Sequence, residues 1–190
     1  MKILVLGCDG YIGNALVQRL LVQNHDVMGI DNYRRRKWVE QQMMSHSATP
    51  ILSMVKKKNL FKEMGKFSYV TCDIVKESHL IEHIIMKERP DTIVNLAHIP
   101  SGPYSQISRE HAEETLYNNY IGTNTILWMI KKYIPECHYV TIGTTGEYDH
   151  YSNIDIDGRD RDSEGDTWDI GADEYVSGGA PSARRIIYLQ

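Results

Sequence analysis

The chain has 190 residues, of which 42% are hydrophobic and 24% are charged. This length and balance are ordinary for one soluble globular domain with a sizeable core. The formal net charge of −4 argues against nucleic acid as a main partner, and no apolar run is long enough to span a membrane. The three cysteines are scattered without metal-ligand spacing, so we predict reduced thiols, a cytoplasmic location and no metal site.

The predicted elements alternate between strands and helices. Residues 2–7, "KILVLG", form a short apolar run that ends at a glycine, and residues 13–24 follow with apolar residues at helical spacing. Further strands are predicted at residues 25–31, 67–74, 91–98 and 137–144, and further helices at residues 77–89 and 109–133. This alternation predicts an α/β fold with a Rossmann-type, doubly wound parallel sheet and helices on both faces.

Two segments interrupt the alternation. Residues 37–66 are predicted to be a mostly helical insertion between the second and third strands. Residues 149–180 are acidic and rich in glycine, which is typical of disorder, but Trp168, Tyr175 and several isoleucines favour a long functional loop near a site. We find no internal repeat and no linker, so we predict one domain over residues 1–190.

Three glycines, Gly7, Gly10 and Gly13 of "GCDGYIG", stand between the first strand and the first helix. The first permits a tight turn, the second lets the backbone approach a pyrophosphate, and the third lets helix and strand pack closely. The N-terminus of the helix would stabilise the anion. The spacing also occurs in plain strand–turn–helix units, but its place directly after a strand favours dinucleotide binding.

Asp31 ends the second predicted strand, about twenty residues after the glycines. A carboxylate there accepts hydrogen bonds from the adenosine ribose hydroxyls and repels the extra phosphate of NADP. We therefore predict NAD as the cofactor, although Arg34, Arg35 and Arg36 offer charges that would reverse this preference. A loop-capping role is the alternative for Asp31. Asp73 ends the third strand in the same way and is placed to meet the adenine.

The glycine motif, with "YIG" inside it, resembles that of the extended short-chain dehydrogenase/reductase family of nucleotide-sugar epimerases and dehydratases. Other stretches resemble the UDP-sulfoquinovose synthase branch of this family, namely "DNYRRR", "SATPILSM", "GPYSQI", "YNNYIGTNTILWMIKKYIPECHYVTIGTTGEY" and "NIDI". The resemblance covers nearly the whole chain. It implies an NAD-dependent enzyme that oxidises C4 of UDP-glucose, loses the C6 hydroxyl, adds sulfite at C6 and returns the hydride.

The resemblance also implies cofactor contacts beyond the glycines and the acids. These are Tyr11, Ile12, Asn32, Arg35, Ile74, Leu96, Ala97 and Asn118. Asn118 and Asn119 are adjacent in the predicted helix, and the resemblance does not decide which of them holds the cofactor and its loops.

The family's catalytic pair is Tyr-x-x-x-Lys on one helix, a spacing that puts both side chains on one face. The lysine lowers the pKa of the tyrosine and holds the nicotinamide ribose, and the tyrosine acts as general base. Tyr188, in the apolar and helix-favouring run "RIIYLQ", aligns with this tyrosine, and the lysine would fall two positions beyond Gln190. We therefore expect the cofactor half of a longer enzyme, without its C-terminal substrate part and with negligible turnover by itself. An ordinary amphipathic-helix tyrosine is the alternative.

Thr144 and Thr145 follow the fifth predicted strand, at the sheet edge where ligands bind in open α/β folds. A threonine there is predicted to hydrogen-bond the sugar hydroxyl that is oxidised, and Glu147 to move a proton during water loss. Tyr104 and Ser105, after the fourth strand, are predicted to face the sugar. Turn threonines, a surface carboxylate and loop residues are the alternatives.

One departure from the resemblance concerns sulfite. Pro100 stands in "AHIPSGPYS" where the synthase branch has a basic residue, which puts sulfite specificity in question more than the fold. Another nucleotide-sugar 4-epimerase or 4,6-dehydratase, or a non-catalytic dinucleotide-binding module, are the alternatives. The expected partner is a UDP-sugar, and a homodimer is compatible with the family.

Overall fold

The computed structural model describes residues 1–40, 51–143 and 187–188. The chain divides into two compact units, Met1–Tyr139 and Val140–Gln190, with the boundary inside the fifth strand. The acidic segment 149–180, which we predicted to be a functional loop, lies outside the described residues.

The elements follow the predicted alternation. The strands are β1 (Lys2–Leu6), β2 (Asp26–Asp31), β3 (Phe67–Thr71), β4 (Thr92–Asn95), β5 (His138–Thr141) and β6 (Ile187–Tyr188). The helices are α1 (Tyr11–Val22), α2 (Arg34–Glu40), α3 (Met54–Met64), α4 (Ser78–Glu88), α5 (Gly102–Ser105), α6 (Arg109–Leu116) and α7 (Gly122–Tyr133). A π-helical turn, Tyr117–Ile121, joins α6 to α7, so the single helix predicted over residues 109–133 contains a break in its hydrogen-bond pattern. Helix α3 lies in the insertion predicted over residues 37–66, whereas α2 begins three residues before it.

The sheet of the first unit is parallel, with β1 at its centre. β1 pairs with β2 on one side and with β4 on the other, and Ile3 is opposite both Val27 and Thr92. β3 pairs with the far side of β2, and β5 begins beside β4, where the His138 amide donates to the Asp91 carbonyl at 2.9 Å. The strand order is therefore β3-β2-β1-β4-β5, which confirms the predicted Rossmann-type α/β fold.

Helices cover both faces of this sheet, which explains why β1 is apolar from Ile3 to Leu6. Leu4 and Leu6 belong to the core that contains Ile81 and Ile85 of α4 and Ile126 of α7. On the opposite face α1 and α3 pack against the strands, and Phe61 of α3 meets Phe67 of β3 edge-on, with ring centroids 5.0 Å apart. Strands buried on both faces appear as continuous apolar runs rather than alternating ones.

We predicted a helix over the run "RIIYLQ". This prediction is wrong for Ile187 and Tyr188, the two residues of the run that the structure describes. Ile187 and Tyr188 form β6, which pairs parallel with β5 through Val140↔Ile187 and Thr141↔Tyr188. A β-branched residue fits a pleated strand well, and an edge strand offers a row of backbone donors and acceptors for pairing. Tyr188 therefore lies on a strand in this structure, and not on the helix face that the Tyr-x-x-x-Lys spacing predicted.

Gly7 and Gly13 allow the loop between β1 and α1 to close tightly. Gly7 has a φ of +80°, and a Cβ there would lie 2.6 Å from the carbonyl carbon of Leu96. A Cβ on Gly13 would lie 2.1 Å from the Gly7 carbonyl oxygen. Backbone atoms cannot give way as a flexible side chain does, so only glycine fits at either position.

We predict that Gly13→Ala lowers the free energy of unfolding by about 1–3 kcal/mol or more, because the new methyl overlaps backbone and must push α1 off the sheet. The measurement is urea denaturation followed by circular dichroism. Gly102→Ala is the control, since a Cβ at this helical glycine meets nothing within 4 Å. This variant makes the same glycine-to-alanine change at a helical position. Pro103 follows Gly102 and restricts the new residue, so the effect on the free energy of unfolding should stay within about 1 kcal/mol. Equal losses in the two variants would contradict the packing argument.

Candidate functional site

A cleft opens where β1 to β4 end, at the carboxyl edge of the sheet. Its lining residues are Gly7, Asp9, Gly10, Ile30, Asp31, Asn32, Arg34, Arg35, Trp38, Cys72, Ile74, Leu96, Ala97, His98, Ile99 and Asn118. Most of the residues that we predicted to bind the cofactor are in this set. The parallel sheet brings them together because the ends of neighbouring parallel strands share one edge.

The glycine loop forms one wall of the cleft and leads into α1. Gly10 is the N-cap of α1, and the Asn14 amide donates to its carbonyl at 2.9 Å. The first N–H groups of a helix have no intrahelical partner and favour an anion. Tyr11, which is 83% exposed, and Ile12 line a neighbouring groove between α1 and the insertion rather than the cleft itself.

Asp31 joins the glycine loop to the exit of β2. Its Oδ2 accepts from the Asp9 amide at 2.8 Å and its Oδ1 accepts from the Tyr33 amide at 2.8 Å. Burial raises the pKa of Asp31 and the nearby Asp9 charge adds to this, although the two amide donors lower it. The carboxylate is therefore held rigidly at the edge of the cleft and has lone pairs left for further donors.

Asp73 organises the second acidic corner. Its Oδ1 accepts from the amides of Val75 and Lys76 at 3.0 and 2.9 Å, and its Oδ2 accepts from Asn32 Nδ2 at 2.9 Å. Burial by itself would raise the pKa of Asp73, but these hydrogen bonds and the Arg34 charge outweigh it, so the pKa is lowered. Asp73 lies just behind the cleft wall, and its neighbour Ile74 lines the cleft.

The three consecutive arginines have different partners. Arg34 contacts Asp73 at 3.4 Å and Glu114 at 2.8 Å, and Arg36 makes two hydrogen bonds to Asp9 at 2.5 and 2.8 Å. Arg35 lines the cleft and also the neighbouring groove.

Asp9 is a site residue that we did not predict. This side chain is only 5% exposed, and Lys57 of α3 reaches it as well as Arg36, with Nζ 2.5 Å from Oδ1. The sequence does contain a reason to consider Asp9, because it is an acidic residue inside a loop that is otherwise suited to bind an anion. Such a charge requires cationic partners.

Asn118 and Asn119 both hold the loop that follows β4. Asn118 Nδ2 donates to the Ala97 carbonyl at 2.7 Å. Asn119 binds Ile99 in both directions, because its Oδ1 accepts from the Ile99 amide at 2.8 Å and its Nδ2 donates to the Ile99 carbonyl at 3.0 Å. Asn118 also lines the cleft, whereas Asn119 is not among the lining residues.

A buried polar network lies beneath the inner end of the cleft. Asn95 is fully buried, and its Nδ2 donates to Tyr139 Oη at 3.0 Å and to Thr123 Oγ1 at 3.3 Å. Thr123 Oγ1 is also 3.1 Å from Nε2 of His98, a residue that lines the cleft. Burial lowers the pKa of His98, which favours the neutral ring.

Tyr104 and Ser105, which we predicted to face the sugar, are not among the residues that line the cleft. Tyr104 is 4% exposed and its hydroxyl donates to Glu114 at 2.5 Å, while burial and Glu114 raise its pKa to about 12. Ser105 Oγ donates to the Gly102 carbonyl at 2.8 Å. Thr144, Thr145 and Glu147 lie outside the described residues, so their roles stay predictions.

Within residues 1–40, 51–143 and 187–188, no three His, Cys, Asp or Glu residues group together to hold a metal ion. In the same residues, no helix has both the length and the apolar character needed to cross a membrane.

The fold and the cleft are those of an α/β domain of the Rossmann type, with a glycine loop after β1 and an acid at the end of β2. A family model described as "NAD dependent epimerase/dehydratase family" matches residues 3–167. The chain therefore belongs to the NAD-dependent epimerase/dehydratase family.

Two curated relatives have the same name. The chain is 36% identical to the chloroplastic UDP-sulfoquinovose synthase of Spinacia oleracea over 160 residues, which cover 82% of this chain and 32% of that protein. It is 35% identical to the UDP-sulfoquinovose synthase of Sulfolobus acidocaldarius over 150 residues, covering 78% and 38%. The chain thus spans about a third of the length of these relatives.

Among solved structures, the UDP-glucose 4-epimerase from Bifidobacterium longum in complex with NAD⁺ and UDP has a TM-score of 0.58. It is 18% identical, and the match covers 78% of this chain and 38% of that one. This likeness shows the shared fold.

We predict that Asn119→Ala lowers the free energy of unfolding by about 1–3 kcal/mol, because it leaves the Ile99 amide and carbonyl without their partner. Amide hydrogen exchange at Ile99 should accelerate in the same variant. Asn124→Ala is the matched control, an exposed asparagine on α7 with the same gain in helix propensity. If both variants behave alike, Asn119 does not anchor the loop.

Proposed function

We propose that this chain binds NAD in the cleft at the carboxyl ends of β1 to β4. The observation that supports this most directly is Asp31, held by two amides at the end of β2 and facing the same cleft as Gly7 and Gly10. The glycine loop and the N-terminus of α1 would bind the pyrophosphate, and Asp31 would accept the ribose hydroxyls. Asn32, Ile74, Leu96, Ala97 and Asn118 would surround the remainder of the cofactor.

The charges around the cleft support NAD rather than NADP. Asp31 would repel a 2′-phosphate, and two of the arginines that would attract one are engaged elsewhere. Arg34 pairs with Asp73 and Glu114, and Arg36 pairs with Asp9.

We predict that the chain binds NAD more tightly than NADP, and that Asp31→Asn narrows the ratio of the two dissociation constants about tenfold or more, because the substitution removes a full charge near the extra phosphate. Calorimetric titration with both cofactors gives this ratio directly.

The control is Asp26→Asn, the same substitution at the other end of β2, where the carboxylate pairs with Lys66. It should leave the ratio unchanged. Tighter binding of NADP by the unmodified chain would show that the arginines outweigh Asp31, and binding of neither cofactor would contradict the proposed function.

We propose further that the whole protein is a nucleotide-sugar enzyme of the UDP-sulfoquinovose synthase kind. The identities of 36% and 35% to two proteins of that name support this proposal. NAD would supply the reversible transfer of hydride at C4 of UDP-glucose, while Thr144, Glu147 and Tyr188 would position the sugar and move protons. Since the spinach relative is described as chloroplastic, a cytoplasmic location for this chain stays a prediction.

Another 4-epimerase or 4,6-dehydratase is the second candidate, because Pro100 stands where the synthase branch has a basic residue. Incubation with UDP-glucose and NAD, with and without sulfite, followed by mass spectrometry of the nucleotide sugars, separates the two candidates. We expect a sulfonated product only when sulfite is present. UDP-galactose or a 4-keto-6-deoxy sugar formed without sulfite would favour the second candidate. The assay uses the 190-residue chain and, if the reading frame extends beyond Gln190, the longer protein that it encodes.

A further inference from the structure

Asp9 places a negative charge inside a loop that is otherwise built to receive an anion. It lies between Gly7 and Gly10, and its side chain is only 5% exposed. A buried carboxylate next to a bound pyrophosphate would repel it, so the charge must be balanced by the protein.

The balance comes from helices α2 and α3. Arg36 in α2 donates from Nε and Nη2 to the two oxygens of Asp9, and Lys57 in α3 donates to Oδ1 at 2.5 Å. Both cations are themselves largely buried, with 16% and 10% of their side chains exposed. Two cations thus balance the two neighbouring carboxylates, Asp9 and Asp31, so the acids do not leave a net negative charge beside the glycine loop.

The same contacts fix the direction of the Arg36 guanidinium. Nε and Nη2 are directed at Asp9, and Nη1 donates to the Leu52 carbonyl at 2.7 Å. The backbone amide of Asp9 in turn donates to Asp31, the carboxylate that faces the cleft. Arg36 lines the neighbouring groove, and Asp9 links it to the carboxylate beside which a ribose 2′-phosphate would lie if the cleft binds a dinucleotide.

We propose that Asp9 is a cofactor-specificity residue, which holds Arg36 in the ion pair and so withholds it from the 2′-phosphate of NADP. This inference rests on the proposed binding of NAD in the same cleft. Selectivity would then have two parts: Asp31 repels the phosphate, and Asp9 removes the guanidinium that would otherwise compensate. Lys57 shares the Asp9 carboxylate but is not required to hold Arg36, whose bonds to Asp9 are bidentate.

The test is the substitution Asp9→Asn, measured by calorimetric titration with NAD and NADP. A charge-assisted contact between the released guanidinium and a phosphate should improve NADP binding relative to NAD by about tenfold to a hundredfold. The double variant Asp9→Asn, Arg36→Gln should lose this gain, which identifies Arg36 as the group responsible. A merely structural role of Asp9 would weaken both cofactors together and leave their ratio unchanged.

Lys57→Met is the matched control. It removes the other cation from the same carboxylate but leaves the Asp9–Arg36 pair in place, so the NADP to NAD ratio should not change by more than about twofold. A folded Asp9→Asn variant with the ratio of the unmodified chain would overturn the proposal, as would a gain in NADP affinity that survives Arg36→Gln.

Removal of one member of a buried ion pair is strongly destabilising, so thermal unfolding of each variant is recorded first. If Asp9→Asn does not fold, the Nε–Hε resonance of Arg36 in the unmodified chain decides the question. It should keep the same chemical shift when NAD or a saturating concentration of NADP is added. A shift specific to NADP would overturn the proposal. Absence of NAD binding by the unmodified chain would instead contradict the proposed function itself.

Discussion

The approach of three backbone segments at the end of β1 is the constraint on which the rest of the site depends. Gly7 touches the backbone of Leu96 after β4, and Gly13 touches the carbonyl of Gly7, with no room for a Cβ at either contact. α1 can therefore begin directly above the sheet edge, with its N-terminus at the cleft. The positions of Asp9 and Asp31 follow, because the Asp9 amide reaches the Asp31 carboxylate only when the loop is closed this tightly.

Two carboxylates beside an anion-binding loop create an electrostatic conflict that this structure resolves in two different ways. Asp31 is stabilised by amide dipoles, which hold it without neutralising its charge, so it still repels a phosphate at the ribose. Asp9 is neutralised by two full cations. If both acids were paired with cations, the discrimination against NADP that we propose would be lost. If neither were paired, the loop would not favour a pyrophosphate.

Much of the fold follows from local pattern. The apolar run of β1, the glycine spacing and the acid at the end of β2 are neighbours in the chain, and short-range steric and hydrogen-bonding rules suffice to predict them. The partners of Asp9 are 27 and 48 residues away, in helices α2 and α3, whose sequence pattern does not show which side chains point inward. Lys57 illustrates the difficulty, because one lysine in the run "KKK" is buried while the pattern alone suggests a solvated face.

The other features that local pattern did not predict also depend on distant contacts. β6 requires the edge of β5 as its partner, so the apolar run around it has no strand to join until the sheet exists. The π-helical turn between α6 and α7 also depends on distant contacts. In a regular α-helix, adjacent side chains point about 100° apart, because each turn holds about 3.6 residues. Asn118 and Asn119 nevertheless both reach the backbone after β4, at Ala97 and at Ile99.

The extra residue that a π turn inserts shifts the register between the helical segments before and after it. In this chain the shift occurs at Asn118 and Asn119, the two side chains that hold the loop after β4. Two amides that pair with backbone groups stabilise the loop, whereas either of them left unpaired in this partly buried place would cost free energy. The irregular turn is thus coupled to the wall of the cleft, and the position of Ala97 there depends on a helix more than twenty residues further along the chain.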